Sequence, residues 1–378
     1  MLHCLAHGQG KWVLSEKPAY YTLSDEFLPN FNRSRWFWGT CGARSLTHEW
    51  LPSGEGCSRM PSVAEMTYAF EAAYSGKRVL FIGDSTQGQF FTSLVHTIGF
   101  NANATVHNAT GCPDTRREAF RRCNSRNDRG DIERNNLLNK YDEQKMIEDQ
   151  YEEQRIENPP YAHEVDMIVE TKGGVVMQFI RHETLVPDEV PSSACQWRGW
   201  RCPFLAAAGE ADLIMLNVGY HGQGTPNTTL SALQTVKKPD AQIAFRSTHS
   251  PVCDDQVWLA DSGTPPGRNF TKYNWQHLQE YNSFVFHLAK ASVNVHYLDI
   301  WTLSNTNGQG RFMPPDADCV HQCLPGPIDE WSKLFLAFAH TLCEKTRKSV
   351  DHSSMGPGKH WCTHVSLRLP SRRKGALT

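Results

Sequence analysis

Five short apolar runs, rich in β-branched and aromatic residues, constrain the fold of this chain more than any other feature: RVLFIG (78–83), VVMQFI (175–180), DLIMLNV (212–218), AQIAFRS (241–247) and VNVHYLD (293–299). A strand that is apolar at almost every position is buried on both faces, as in a parallel sheet covered by helices on either side. Intervals of helix length or more separate the runs, and parallel neighbours need such crossovers. Helical patterns occupy Thr86–Ile98, Asn274–Ser292 and Ile328–Lys345, the last with Trp331, Leu334, Phe335, Phe338 and Leu342 along one stripe. This order of elements predicts an α/β fold built on a parallel sheet.

The 378 residues, 39% of them hydrophobic, suffice for one elaborated domain with insertions. Residues 1–75 are rich in aromatics, proline and cysteine without sustained periodicity, and read as a coiled, disulfide-tied lead-in packed on a core domain at 76–345. Within that domain, 116–158 is dense in Arg, Asp, Glu and Asn, the composition of an exposed insertion. Residues 346–378 form a basic, loosely patterned tail, and no internal repeat is present. A net charge of -2 and a pI of about 6.8 leave no global field to recruit nucleic acid or an anionic membrane. Specificity must come from a local site.

Twelve cysteines are scattered from Cys4 to Cys362 with no C-x-x-C pair, too many for a typical reduced cytosolic enzyme. Five N-x-S/T sequons, at Asn32, Asn103, Asn108, Asn227 and Asn269, point the same way, to a lumenal or extracellular environment. No run approaches the roughly 18 consecutive apolar residues of a membrane span; the richest is Leu334–Leu342. The opening MLHCLAHGQGKW lacks the basic and apolar regions of an export signal. Oxidised cysteines without such a signal are inconsistent, so the expectation is that a signal or membrane-anchor helix precedes this sequence.

The first strand run ends in Gly83, Asp84, Ser85 and Thr86, and a helical pattern follows at once. The carboxyl end of a central parallel strand, just before a helix, is where α/β folds place reacting groups. Unpaired amides of the helix start can stabilise an oxyanion there. The same side chains are also ordinary helix caps, so Gly-Asp-Ser alone carries little. Far along the chain, DADCVHQCLPGPIDEW (316–331) sets Asp318 and His321 three residues apart, on one face of a helical turn. A carboxylate so placed can accept the Nδ1 proton of the imidazole while Nε2 faces a serine. Cys319 and Cys323 flank His321, and Pro325-Gly326-Pro327 punctuates the chain before the last helix. Ser85, His321 and Asp318 together make a candidate Ser-His-Asp triad.

Two blocks, GKRVLFIGDSTQGQFFTSLV (76–95) and DADCVHQCLPGPIDEWSKLF (316–335), resemble the PC-esterase group of SGNH/GDSL-like proteins, which includes plant trichome birefringence-like polysaccharide O-acetyltransferases. Weaker echoes, among them FIRHETLV (179–186) and FRSTHSPVC (245–253), extend the resemblance to nearly the whole chain apart from the charged insertion and the tail. The resemblance implies a three-layer, flavodoxin-like sheet, with Ser85 as nucleophile and Asp318 and His321 as the family's D-x-x-H pair. It also places Asn217 and Gly219, in ADLIMLNVGYHG (211–222), on the N-x-G stretch of the third SGNH block. From the residues alone, Asn217 ends a strand on the active face, either as an oxyanion donor or as a strand-end turn residue. Plant members carry GDS-x-x-R-N-Q, whereas Gly88, Gln89 and Phe90 fill the last three places in this chain, leaving Gln89 as the substitute amide donor. The implied function is acetyl transfer to hydroxyls of a polysaccharide or glycan through an acyl-enzyme, in the Golgi lumen or outside the cell. An acetyl donor such as acetyl-CoA would be a co-substrate, and no bound cofactor is expected.

His249, Cys253, His321, Cys323, His360, Cys362 and His364 are metal-ligating types, yet only Cys319 and Cys323 have the tight spacing of a zinc pair. Disulfides are the expectation in an oxidising compartment, and no metal site is expected. No G-x-S-x-G elbow, H-E-x-x-H or Walker loop occurs. Trp36, Trp38, Tyr220 and Trp275 are candidates for stacking on sugar rings, although aromatics fill cores first. Two alternatives share all of these residues: a glycan O-acetyl esterase, if water takes the acyl group, and a catalytically silent glycan-binding protein of the same fold.

Overall fold

The structure is a computed structural model that describes residues 10–14, 48–52, 62–99, 106–107, 166–186, 202–217, 226–249, 275–305, 320–322 and 326–351. The charged insertion 116–158, most of the cysteine-bearing lead-in and the tail beyond 351 lie outside the described residues.

Strands β1 (Gly10–Leu14) and β2 (His48–Pro52) pair antiparallel, with Gly10 opposite Pro52 and Leu14 opposite His48. Helix α1 (Val63–Tyr74) follows, started by a capping box in which the Glu65 amide donates to Ser62 Oγ and the Ser62 amide donates to the Glu65 carboxylate. Met66, Ala69, Phe70, Ala73 and Tyr74 recur at helical spacing and are all buried. The coiled lead-in expected through residue 75 is thus corrected at its carboxyl end. The stripe is short and alanines fill part of it, so its periodic signal is weak.

The main sheet consists of β3 (Arg78–Gly83), β4 (Val106–His107), β5 (Asp166–Glu170), β6 (Val176–Arg181), β7 (Leu213–Asn217), β8 (Gln242–Arg246) and β9 (Val295–Leu298). Its order is β4-β5-β6-β3-β7-β8-β9 across seven strands. Strands β6, β3, β7, β8 and β9 are parallel, and β5 and β4 add an antiparallel edge. The five apolar runs are the five parallel strands. Taken in chain order they lie 2-1-3-4-5, the flavodoxin-like arrangement.

Six helices complete the described fold: α2 (Ser85–Ile98), α3 (Leu205–Glu210), α4 (Pro226–Val236), α5 (Trp275–Ala291), α6 (Trp301–Asn305) and α7 (Pro327–Asp351). Alternation along β3 sorts the core into two. Val79 and Phe81 join the core that includes α1, α2 and α7, whereas Leu80 and Ile82 join the one that includes α3, α4 and α5. The first core is aromatic: the Phe81 ring lies 5.7 Å from Phe90, 5.4 Å from Phe91 and 5.3 Å from Phe335. The expected α7 stripe of Trp331, Leu334, Phe335, Phe338 and Leu342 is buried, and the helix runs past Lys345 to Asp351. Cys202 is buried and disulfide-bonded. Asn227 is exposed in α4, and the other four sequons lie outside the described residues. Among the described residues no helix is long and apolar enough to cross a membrane.

Candidate active site

A doubly wound sheet opens a crevice at the carboxyl ends of its strands where the strand order reverses. In this sheet the reversal falls between β3 and β7, whose last residues, Gly83 and Asn217, are register partners. Glycine is required at 83, because a Cβ would lie 2.7 Å from the Asn217 carbonyl oxygen and 2.8 Å from Gln87 Cβ.

Asp84 caps the helix that leaves β3. Its carboxylate accepts from the amides of Thr86 (2.9 Å) and Gln87 (3.3 Å) and from the Thr86 hydroxyl (2.7 Å). The capping role therefore falls to Asp84, and Ser85 opens the helix with its hydroxyl turned elsewhere. Ser85 Oγ lies 2.7 Å from His321 Nε2, and both residues are half-buried. A hydroxyl that donates to Nε2 requires the ring proton on Nδ1. Asp318, the expected acceptor of that proton, and Gly219 lie outside the described residues.

Residues 320–322 are not helical, so the helical turn expected around the Asp318–His321 pair is not present at its His321 end. Side chains hold the backbone instead. Gln89 Nε2 donates to the Gln322 carbonyl (2.9 Å), and the Gln322 amide donates to Gln89 Oε1 (3.2 Å). His249 Nε2 donates to the Val320 carbonyl (2.9 Å), which fixes its tautomer because a carbonyl only accepts. Burial drives the His249 imidazole down to about 3; the Val320 bond opposes that fall, and the Arg246 cation adds to it. His249 is neutral at ordinary pH. Just beyond, Asp329 accepts from the Gly326 amide (2.8 Å) and from Ser93 Oγ (2.6 Å), tying the start of α7 to α2.

Asn217 and Gln89, the two described candidates for an oxyanion donor, are both engaged within the protein. Asn217 Nδ2 donates to the Arg246 carbonyl (3.3 Å) and to Thr248 Oγ1 (3.0 Å), joining β7 to the end of β8. Gly88 of α2 packs close against the sheet. The Phe179 ring of β6 lies 3.1 Å from where its Cβ would be, so the helix packs directly on the sheet at this point. Trp36, Trp38 and Tyr220 lie outside the described residues, as does the Trp275 side chain.

Arg246 is the residue the sequence did not single out. It is 2% exposed, and its guanidinium donates to Gln87 Oε1 (2.9 Å), Thr86 Oγ1 (3.1 Å) and the Ser247 carbonyl (3.1 Å) while its Cζ lies 4.8 Å from the Trp331 ring centre. It binds the first turn of α2 to β8 and α7. The signal that could have found it is an arginine at the carboxyl end of an otherwise apolar parallel strand, a place where a buried charge needs a purpose.

No curated protein matches the chain. Among solved structures, the ADP ribosylation factor-like GTP binding protein, small COPII coat GTPase SAR1, from Encephalitozoon cuniculi in complex with GDP is similar over 75% of this chain and 89% of that chain, at 10% identity and a TM-score of 0.31. A likeness that slight bears on neither fold nor function. Over residues 216–338, a span that holds Asn217 and His321 and stops short of Ser85, the chain matches the PC-Esterase family, the GDSL/SGNH-like acyl-esterase family found in Pmr5 and Cas1p.

Proposed function

We propose that this protein transfers an acyl group, acetyl foremost, to a hydroxyl of a glycan or polysaccharide through an acyl-Ser85 intermediate. The observation that carries this reading is the Ser85–His321 hydrogen bond at the carboxyl end of β3. His321 Nε2 takes the Ser85 proton as Oγ attacks the carbonyl carbon of an ester or thioester donor. Negative charge gathers on the carbonyl oxygen. Collapse breaks the bond to the leaving group, which departs with the proton from His321. A sugar hydroxyl then gives its proton to His321, attacks the acyl carbon and releases the Ser85 oxygen, which recovers that proton.

Asp84 holds the amides of Thr86 and Gln87, so the Ser85 amide is the helix-start donor we assign to the oxyanion, with Gly219 as its proposed companion. Asp318 is the proposed acceptor of the His321 Nδ1 proton. Acetyl-CoA is the proposed donor, and a Golgi-lumenal or extracellular setting is part of the same proposal. If water reaches the acyl-serine before a sugar does, the same residues make an esterase.

Intact-mass spectrometry after incubation with an activated acetyl ester tests the reading, with Ser85→Ala and His321→Ala alongside. One acetyl on the wild type alone, mapped to Ser85, is expected. A correctly folded wild type with neither adduct nor ester turnover would leave the glycan-binding protein as the better account.

A further inference from the structure

A general base has to be held within about 0.5 Å and about 10–20° of its working geometry, and His321 has no helix to hold it. Side chains from two other parts of the chain bond to the backbone on either side of it. We infer that Gln89 and His249 are positioning residues that brace His321 from both flanks, Gln89 through the peptide groups of Gln322 and His249 through the carbonyl of Val320. The inference rests on the proposed acyl-serine chemistry and adds the means by which its base is aimed.

Three features support it. Gln89 makes both of its amide bonds to one residue, Nε2 to the Gln322 carbonyl at 2.9 Å and Oε1 from the Gln322 amide at 3.2 Å, so it pairs with that residue as a neighbouring strand would. Gln89 also lies four residues after Ser85 in α2, on the same face of the helix. One rigid helix thus presents the nucleophile to His321 and grips the next residue along, so nucleophile and base move together. Finally, the brace is dry: Gln89 is 0% exposed, His249 1%, Val320 4% and Gln322 4%. Without Gln89 the two Gln322 peptide groups would be left buried with no partner from that side chain, and the segment would shift to satisfy them.

The test uses the full chain and an activated acetyl ester, with kcat and KM measured beside the melting temperature. Gln89→Met is expected to lower kcat by roughly 10²-fold, the scale of about a 1 Å misplacement, with KM little changed. His249→Phe is expected to lower kcat about 10-fold, with His249→Gln restoring it because its amide reaches the same carbonyl. Ser304→Ala, which removes a buried hydroxyl bound to the Ile300 carbonyl at 2.7 Å, is the control and should lower the melting temperature while leaving kcat intact. A folded Gln89→Met with wild-type kcat overturns the brace, and so does a loss in kcat that His249→Gln fails to restore. Should Gln89→Met not fold, the His249 pair decides.

Hydrogen exchange at the Gln322 amide separates this inference from the catalytic proposal. Protection in the wild type that disappears in Gln89→Met keeps the brace even where no ester is turned over. Equal exchange in both proteins removes it even where Ser85 is acylated.

Discussion

Ser85 and His321 meet at 2.7 Å, yet they are held in place by different kinds of structure. Ser85 stands at the junction of β3, hydrogen-bonded on both sides to parallel neighbours, and α2, whose Phe90 and Phe91 sink into the aromatic core. His321 stands in a stretch without helix, and the side chains of Gln89 and His249 bond to the backbone on either side of it. The serine side draws its rigidity from repeated backbone geometry and summed burial, which many residues share. On the histidine side a few specific hydrogen bonds do the holding, so single substitutions there should disturb geometry more than stability.

The largest effect expected is on chemistry. Ser85→Ala and His321→Ala should each reduce acyl transfer by roughly 10³-fold or more, with the double variant no worse than either, because the two act as a unit. Ester turnover measures this, and a His321 variant that kept most of the activity would break the pairing of the two sides. Next comes the core beneath the serine: Phe335→Ala should cost about 3–5 kcal/mol in denaturant unfolding. Turnover per folded molecule should stay near wild type, and a proportionate loss in kcat would blur the contrast.

Acid provides a sharper probe of the histidine side. His249 has its folded value depressed to about 3 from an ordinary 6.5, chiefly by burial. Its contribution to stability is complete above the unfolded value and is lost as the pH falls from there toward the folded one. The unfolded chain holds the extra proton through that window, so unfolding free energy should drop by up to about 1.4 kcal/mol per pH unit. Denaturant melts between pH 7 and about 4 should show a shallower slope for His249→Gln, and an unchanged slope would remove His249 as its source. The smallest effect belongs to Ser62→Ala, which deletes the capping box of α1 and should cost about 1 kcal/mol with no change in turnover.

Much of this architecture was legible because burial on both faces writes itself into sequence. Each of the five apolar runs is a parallel strand, and the α7 stripe packs as its spacing predicts. The antiparallel strand β5, DMIVE, was not legible, since acidic residues at both ends mask a five-residue strand. In the site, Ser85 and His321 were readable as motifs. The partners of Gln89 and Asn217 were not: a carboxamide donates and accepts equally well in many settings, and its neighbour in the fold is a backbone group 233 residues away for Gln89 and a hydroxyl 31 residues away for Asn217.

By itself, the sequence determined the local matters: which segments must be buried on two faces, where the helix after β3 begins, and which blocks carry the serine and the histidine. Tertiary structure decided which groups meet. It brought Ser85 to His321 from outside the 216–338 span, turned Asn217 toward β8, and set Arg246 under the first turn of α2. The physical reason is that local propensity acts over a few residues, whereas contacts between distant segments follow from the order of strands in the sheet and the packing of two cores against it.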